Sequence, residues 1–369
     1  MRGTTASDEH GGADGPVARS RRVADDVLFP LAQTVDRSTI PESHFDALRD
    51  AGLFSFGDTR VGDVRRAMAT IAGGCGATFF VWVQHHGVVR NVAASPNAAL
   101  RDRLLASLLD GSVIAGTAFA HVRRASSTAI RARRVDDGWR LDGRAPWATS
   151  WGIAGWFAVA ATTDDGRMVW AMIAGDGGPG VVAEPLALPV FDATGTVAID
   201  LDGVVVADAD VIDVVDAARW RASDRLRASI GAPAVLGVAD RAIRLLRDAA
   251  RSDDDPARFA AERLGTALAQ RWTIDDELTA RLAATDIGAG DQSTDGTDRD
   301  AIESLVGAAS EHRTACLDLG HRATTALLAA VGGGGMDLSH PAQRLAREAA
   351  FYVIQAQTGD GRAATLDAV

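Results

Sequence analysis

Two features of this sequence place acid–base side chains where they could act on a small molecule. His85 and His86 occupy consecutive positions in an apolar segment. In a helix they would face about 100° apart, so that one could transfer protons in a pocket while the other is buried in the core. Asp224 precedes Arg225, and its carboxylate is either a proton acceptor or the N-cap of a helix that begins near Arg225.

Other residue groups are suited to binding. Arg123 and Arg124 either form hydrogen bonds with phosphate groups or lie solvated at the surface. The glycine run at 332–335 either lets the backbone approach a ligand closely or simply ends a helix. Cys75 and Cys316 lie in apolar and helical segments that predict two buried thiols, and no Cys/His grouping has the spacing of metal ligands.

Three kinds of pattern along the chain predict the elements that must position these residues. From 17 to about 109, apolar residues recur every three or four positions, which indicates helices. Between about 112 and 213, short runs rich in Val, Ile, Thr and Trp alternate with turn dipeptides, which indicates antiparallel strands in a barrel or sandwich. Helical periodicity returns from 217, with a loop rich in Gly, Asp, Ser and Thr at 285–298.

The predicted fold class is therefore α+β, with helices on both sides of a β-domain. We expect a disordered tail over 1–17, an N-terminal helical domain over 18–112, a central antiparallel β-domain over 113–215 and a C-terminal helical bundle over 216–369. A chain of 369 residues is too long for one ordinary core, which agrees with two or three packed units.

Composition excludes several classes of partner. The net charge of −11 and the pI near 5.2 argue against nucleic-acid binding, which requires clustered Lys and Arg. No stretch reaches the roughly 18 uninterrupted apolar residues of a membrane helix. The first 16 residues lack the apolar segment of a secretory signal. We expect a cytoplasmic protein with no membrane or nucleic-acid partner.

The order of elements, together with several separated motifs, resembles the acyl-CoA dehydrogenase superfamily. That family has an N-terminal helical domain, a central β-domain and a C-terminal four-helix bundle, and the resemblance covers roughly 17 to 358. The matching segments are Gly73-Gly74-Cys75-Gly76-Ala77-Thr78 through His85-His86, then Gly143-Arg144-Ala145-Pro146-Trp147-Ala148-Thr149, the segment from Arg225 to Arg241, and the glycine run at 332–335 followed by Pro341, Arg344 and Arg347.

The resemblance implies a flavin site, with FAD as the family's cofactor. The flavin ring would lie against Trp147, and Thr149 would hydrogen-bond at its N5 atom. The other implied flavin contacts are Thr117, Phe119, Ser126 and Thr358, and the implied substrate contacts are Ser126 and Arg124. In the family the glycine loop reaches the FAD of a neighbouring subunit, which would give Gly332 and Gly333 this role in a homodimer or homotetramer.

Three departures from the family pattern bear on the reaction. The usual catalytic glutamate lies fifteen residues after the family's proline, and the corresponding residue here is Ala356. Some members carry the carboxylate on the first bundle helix, which makes Asp224 the candidate base. His121 replaces the glutamate of the family's Thr-Glu-Pro strand, and the region 247–270 lacks the full Arg-x-x-Phe-Gly segment that holds the FAD pyrophosphate, so FMN is an alternative cofactor.

Three functions remain open from the sequence. The first is α,β-dehydrogenation of an acyl-CoA or other acyl thioester, with hydride transfer to flavin N5 and Asp224 as base. The second is a flavin-dependent monooxygenase or oxidase on the same fold, in which His86 would handle protons, as a histidine does in related enzymes. The third is a non-catalytic partner subunit that binds flavin or acyl-CoA. The first leads because most recognisable members of the superfamily are dehydrogenases.

Overall fold

The computed structural model describes residues 14–123, 129–231, 233–285 and 296–368. Helices fill the first part of the chain, and a π-helical turn at Ala24–Leu28 joins the first two of them. Pro16 lies in the first turn of α1, where the missing N–H needs no partner. The helices are α1 Pro16–Val23, α2 Phe29–Val35, α3 Glu42–Asp50, α4 Val61–Gly74, α5 Gly76–Ala93 and α6 Ala98–Leu109.

The central helix of this half is α5, which follows the glycine-rich segment and lies within the range predicted to be helical. Phe79, Val81 and Trp82 are almost fully buried within it. The same helix packs against α4, α6 and the first strand of the sheet. Residues of α5 therefore lie between the helical half and the β-domain.

An eight-stranded sheet forms the middle of the chain. The hydrogen-bonded order is β6-β7-β3-β2-β4-β5-β8, and β1 pairs with β4. Most pairs are antiparallel as predicted, but β1 and β2 both run parallel to β4. The strands are β1 Ala115–Ala118, β2 Arg131–Val135, β3 Gly138–Ala148, β4 Trp156–Thr162, β5 Arg167–Ala174, β6 Val181–Pro185, β7 Val197–Ala207 and β8 Val211–Asp216.

Both faces of the sheet are buried, as the alternation along β5 illustrates. Val169, Ala171 and Ile173 join one apolar cluster with β3 and β7. Their neighbours Met168, Trp170 and Met172 join a second cluster with α5 and α6. Successive side chains of a strand point to opposite faces, so one strand contributes to both cores.

The C-terminal part of the chain is helical, with α8, α9, α10 and α11 packed against one another. The segment 225–241, which the resemblance matches to the family, spans the end of one helix and the start of the next. Gly231 adopts a φ of 73° and Pro233 follows, so the helix ends and a new one begins. The helices are α7 Ala217–Ser229, α8 Ala234–Asp248, α9 Pro256–Ala284, α10 Gly296–Val331, α11 Pro341–Tyr352 and α12 Gly359–Asp367.

The transitions between helices and strands support the predicted domain limits, which stay a prediction. The last helix before the sheet ends at Leu109, and the last strand ends at Asp216 directly before α7. The predicted tail, apart from residues 14–17, and most of the predicted loop at 285–298 lie outside the described residues. No helix in the described part of the chain is long and apolar enough to cross a membrane.

Candidate functional site

The tryptophan and threonine of the Trp-x-Thr motif lie at the end of β3. The register between β3 and β7 shifts between Ala145 and Ala148, which marks an irregularity that redirects side chains. Trp147 lies within this shift and is 44% exposed, whereas Thr149 is buried. The sheet thus presents one large aromatic surface to the outside, with a buried hydroxyl two residues further on.

The first strand and α5 meet at this point. Thr117 forms a β-bridge with Thr149, and its hydroxyl donates to Oε1 of Gln84 on α5. One turn after Gln84, a Cβ at Gly87 would have no described atom within 4 Å. The α5 face that carries Gln84 thus contacts Thr117 and is uncrowded one turn further on.

His85 fixes the position of β1 relative to the helices. Its Nδ1 accepts from the N–H of Ala115 at 3.0 Å, so its Nε2 carries the proton and donates to the carbonyl of Leu108 at 2.9 Å. Burial lowers the pKa of His85 to about 4, which keeps the ring neutral. His85 therefore orients the strand that carries Thr117.

His86 points elsewhere. Two helical positions rotate the side chain by roughly 200°, so His86 lies opposite Gln84 on α5. Its Nε2 lies 3.1 Å from the carbonyl oxygen of Leu53, and its ring packs against Phe56 and Trp82. Burial lowers the pKa of His86 to about 3. The structure thus separates His86 from Thr117 and Thr149, and a catalytic role for it stays an untested prediction.

The loop before β7 is joined to the end of β3 by backbone hydrogen bonds. Ser150 N–H donates to the carbonyl of Thr194 at 2.9 Å, and Trp151 N–H donates to that of Gly195 at 3.0 Å. Gly195 has a φ of 59°, and a Cβ on it would lie 2.3 Å from the Trp151 oxygen. Only glycine can occupy this position without moving the two segments apart.

Hydroxyl groups continue this connection inside the protein. Thr194 Oγ1 donates to the Phe191 carbonyl at 2.6 Å and lies 2.8 Å from Thr196 Oγ1, which in turn lies 3.1 Å from Thr149 Oγ1. Thr194 and Thr196 are buried. No sequence motif predicts either residue, because they become partners of Thr149 only through folding of the β7 loop.

Backbone strain is concentrated around the same segments. Among the described residues other than glycine, Ser150, Phe191 and Ala356 have positive φ, at 83°, 61° and 52°. L-residues in this region cost of order 1 kcal/mol each, and such strain is common at functional sites. Ser150 and Phe191 flank the threonine connection, and Ala356 is the residue that the resemblance aligns with the family's glutamate.

Aromatic rings join α5, the β7 loop and α11. Phe80, Phe191 and Phe351 contact one another, with ring centroids between 4.7 and 5.5 Å apart. Arg347, from the Gly/Pro/Arg segment, donates to the carbonyl of Pro189 and so ties α11 to the β7 loop. These contacts form an apolar wall next to the strained residues.

The turn that carries Ala356 is held by Arg313 from α10. Its Nη2 donates to the carbonyls of Tyr352 and Gln355 at 3.1 and 2.9 Å. Arg313 is buried, which lowers its pKa. Thr358 then caps α12 by accepting from the N–H of Gly361. The turn that contains Ala356 is thus held by the hydrogen bonds of Arg313 on one side and by the Thr358 cap on the other. Ala356 itself contributes no ionisable group.

Asp224 lies in the interior of α7, so the interpretation that it caps a helix is wrong. The N-cap of α7 is Asp216, whose carboxylate accepts from the N–H of Arg219 at 2.7 Å. Both carboxylate oxygens of Asp224 accept from Arg123, at 2.7 and 2.8 Å. Arg123 also lies over the ring of Phe119, 4.8 Å from its centroid. A planar two-bond pair of this kind fixes both partners.

The remaining candidates are placed as follows. Phe119 packs between Trp170 and Trp220. His121 lies close to the carbonyl of Ala160 through Nε2, at 2.8 Å, and its Nδ1 has no hydrogen-bond partner among the described residues. Ser126 and Arg124 lie outside the described residues.

The glycine run forms a 3-10 turn, Gly332–Met336, between α10 and α11. A Cβ at Gly332, Gly333 or Gly334 would meet no described atom within 4 Å. Met336 and Leu338 next to it are 69% and 52% exposed. The run is thus an exposed surface loop with free space around Gly332, Gly333 and Gly334 among the described residues.

No protein-family model matches the chain, and no curated protein matches it in sequence. Solved structures match it closely in shape. Butyryl-CoA dehydrogenase of Megasphaera elsdenii has a TM-score of 0.74 at 16% identity, over 98% of this chain and 99% of that one.

Two structures of other activities match equally well. Dibenzothiophene monooxygenase of Paenibacillus sp. A11-2 has a TM-score of 0.75 at 16% identity, and nitrososynthase of Micromonospora carbonacea var. africana has 0.75 at 18%; each match covers 95% of this chain and 96% of that one. At these identities the likeness establishes the fold. The chain has the acyl-CoA dehydrogenase-like fold.

Proposed function

We propose that this chain is a flavin-dependent monooxygenase or oxidase, which uses reduced flavin and O2 and needs no carboxylate base. The proposal rests on the finding that neither of the two candidate base positions offers a free carboxylate. Ala356 has no ionisable group, and both carboxylate oxygens of Asp224 accept hydrogen bonds from Arg123. By the resemblance, a dehydrogenase requires a free carboxylate at the substrate α-carbon, within reach of the proton that it removes.

The residues at the end of β3 fit a flavin. The indole of Trp147 is 44% exposed beside buried Thr149, and a planar aromatic ligand stacks favourably on such a surface. On the α5 side, Gly87 adds no side chain and a Cβ there would meet no described atom within 4 Å. When bound, reduced flavin supplies the electrons that activate O2. The wall of Phe80, Phe191 and Phe351 would keep water away from the reacting face.

FMN and FAD are both candidate cofactors. The Paenibacillus enzyme has been solved with FMN bound. At the turn between α8 and α9, Arg247 and Arg251 line an open cleft together with Arg258. Arg258 is engaged by Asp253, which weakens the case for a pyrophosphate there and so favours FMN.

We also propose that the chain forms a homodimer or homotetramer in the cytoplasm. The open glycine turn and the exposed Met336 and Leu338 support the oligomer, since apolar side chains at such exposure suit a contact with a second copy. Gly332 and Gly333 would then approach the neighbour's cofactor, as the resemblance implies.

Acyl-thioester dehydrogenation is the second candidate. The match to butyryl-CoA dehydrogenase favours it. To act as the base, Asp224 would have to leave Arg123, and the loss of two charge-assisted hydrogen bonds opposes that movement.

The test is to load the purified protein with FMN or FAD and follow the flavin absorption band. We expect no bleaching when butyryl-CoA is added without oxygen, and rapid reoxidation when the photoreduced protein meets O2. Bleaching by butyryl-CoA would instead support the dehydrogenase. A protein that binds flavin but shows neither reaction would be the non-catalytic partner subunit.

A further inference from the structure

We propose that a relay of three hydroxyl groups, Thr149–Thr196–Thr194, makes the bound flavin more stable in its reduced than in its oxidised form. The inference rests on the proposed function, because it requires flavin N5 to lie at Thr149. Thr194 and Thr196 would be positioning residues that set the direction of the Thr149 hydrogen bond.

The relay is closed at its inner end. Thr194 Oγ1 donates to the carbonyl of Phe191 at 2.6 Å. The Thr194 and Thr196 hydroxyl oxygens are 2.8 Å apart, and those of Thr196 and Thr149 are 3.1 Å apart. All three threonine side chains are buried, at 0%, 5% and 5% exposure.

Proton counting then sets the direction of every bond. Each hydroxyl has one proton to donate. Because Thr194 donates to a carbonyl, Thr196 must donate to Thr194, and Thr149 must donate to Thr196. Thr149 Oγ1 is left with acceptor lone pairs only. If Thr149 donated outwards, one pair of buried oxygens would stay in contact with no proton between them, which costs a hydrogen bond.

The two segments that carry the relay are held together by the backbone on both sides of Thr149. Ala148 pairs with Val197 before it, and Ser150 N–H and Trp151 N–H donate to the carbonyls of Thr194 and Gly195 after it. Gly195 fits against the Trp151 carbonyl only because it has no Cβ. The distance between Thr149 and Thr196 is therefore set by the backbone.

Flavin N5 changes its hydrogen-bonding character with redox state. In oxidised flavin it is an acceptor, whereas in reduced flavin it carries an N–H and donates. An acceptor at Thr149 Oγ1 therefore complements the reduced form. We expect reduced flavin to bind about tenfold more tightly than oxidised flavin, which raises the two-electron midpoint potential of the bound flavin by about 30 mV over that of free flavin.

The experiment measures dissociation constants for oxidised FMN and for dithionite-reduced FMN without oxygen, and repeats both with FAD. In Thr194→Val, Thr196 loses its acceptor and donates to Thr149, whose proton then turns to the flavin. We expect this variant to bind oxidised flavin as tightly as reduced flavin, or more tightly. In Thr196→Val the Thr149 hydroxyl is free, and the ratio should fall close to one.

Thr324→Val is the matched control, because Thr324 is a buried threonine on α10 whose hydroxyl donates to the carbonyl of Gly320 at 3.0 Å. It should keep the wild-type ratio, as should Thr196→Ser, which retains the hydroxyl. A wild-type ratio of one or below overturns the relay even if no valine variant folds, and so does a Thr194→Val ratio equal to wild type. If flavin still binds in those cases, only the relay is overturned and the proposed function stands. If neither oxidised nor reduced flavin binds, the relay and the proposed function are both overturned.

Discussion

Arg123 binds both carboxylate oxygens of Asp224 across 101 positions of the chain, with Nε–Oδ2 and Nη2–Oδ1 distances of 2.7 and 2.8 Å. The pair links the segment after β1 to α7. The side chains are 20% and 16% exposed, so the pair is largely shielded from solvent. The one carboxylate that the family pattern offers as a base is therefore engaged in a structural contact.

Asp224→Asn tests this role. The amide retains one acceptor but loses the charge, so we expect the free energy of unfolding to fall by about 1–2 kcal/mol, between the values for exposed and buried pairs. Flavin binding and reoxidation by O2 should be retained. Urea unfolding and flavin titration measure these quantities. Bleaching by butyryl-CoA in the wild type, together with its loss and unchanged stability in the variant, would identify Asp224 as the base and contradict this role.

Ala356→Glu tests whether the missing glutamate decides the reaction. Ala356 already has a φ of 52°, and glutamate would adopt this conformation at a cost similar to that of alanine. We expect slow anaerobic bleaching by butyryl-CoA to appear in this variant. Ala356→Gln has the same shape without the base and should show none. Equal behaviour of the two variants would mean that position 356 does not control the reaction.

Stability should depend on pH through His85. Its pKa is lowered from 6.5 to about 4 by burial. Between these two pH values the unfolded chain is protonated at His85, whereas the folded protein is not. The stability that neutral His85 supports is complete above pH 6.5 and is lost as the pH falls towards 4. At 1.36 kcal/mol per pKa unit, the loss is roughly 3 kcal/mol.

The measurement is urea unfolding of wild type and His85→Gln at pH 7.5, 6 and 5. The difference between the two proteins cancels the contributions of other titrating groups. His85→Gln should be less stable than wild type at pH 7.5, and the gap should narrow with acidification. A gap that stays constant over this range would show that His85 is not held neutral.

Gly195→Ala tests the connection between the β7 loop and β3. The added Cβ would lie 2.3 Å from the Trp151 carbonyl, at a residue with positive φ. We expect a loss of about 1–3 kcal/mol in the free energy of unfolding and weaker flavin binding. Gly178→Ala is a suitable comparison, since Gly178 also has positive φ but open surroundings. Similar losses in both variants would mean that strain alone, without the close contact, explains the effect.

The sequence alone predicts the order of helices and strands because each pattern is local. Periodicity of three to four residues and turn dipeptides between apolar runs depend on neighbours along the chain. The break between α7 and α8 was also readable, since Gly231 and Pro233 are a common signal for a helix end.

The site was predicted only in part, for a different physical reason. Trp147 and Thr149 lie in a short motif, so their proximity follows from the strand. The partners of Thr149 and Asp224 come from distant segments, and only folding determines that Thr196 and Arg123 reach them. To predict which of Gln84 and His86 faces β1, one must know which face of α5 packs against that strand.

The account depends most directly on flavin stacking at Trp147. The measurement is a titration of FMN and FAD fluorescence with wild-type protein and with Trp147→Ala, whose exposed position makes a change of fold stability beyond about 0.5 kcal/mol unexpected. We predict saturable quenching by the wild type and binding at least tenfold weaker in the variant. No saturable quenching of either flavin by the wild type, or equal affinity in both proteins, would contradict the account.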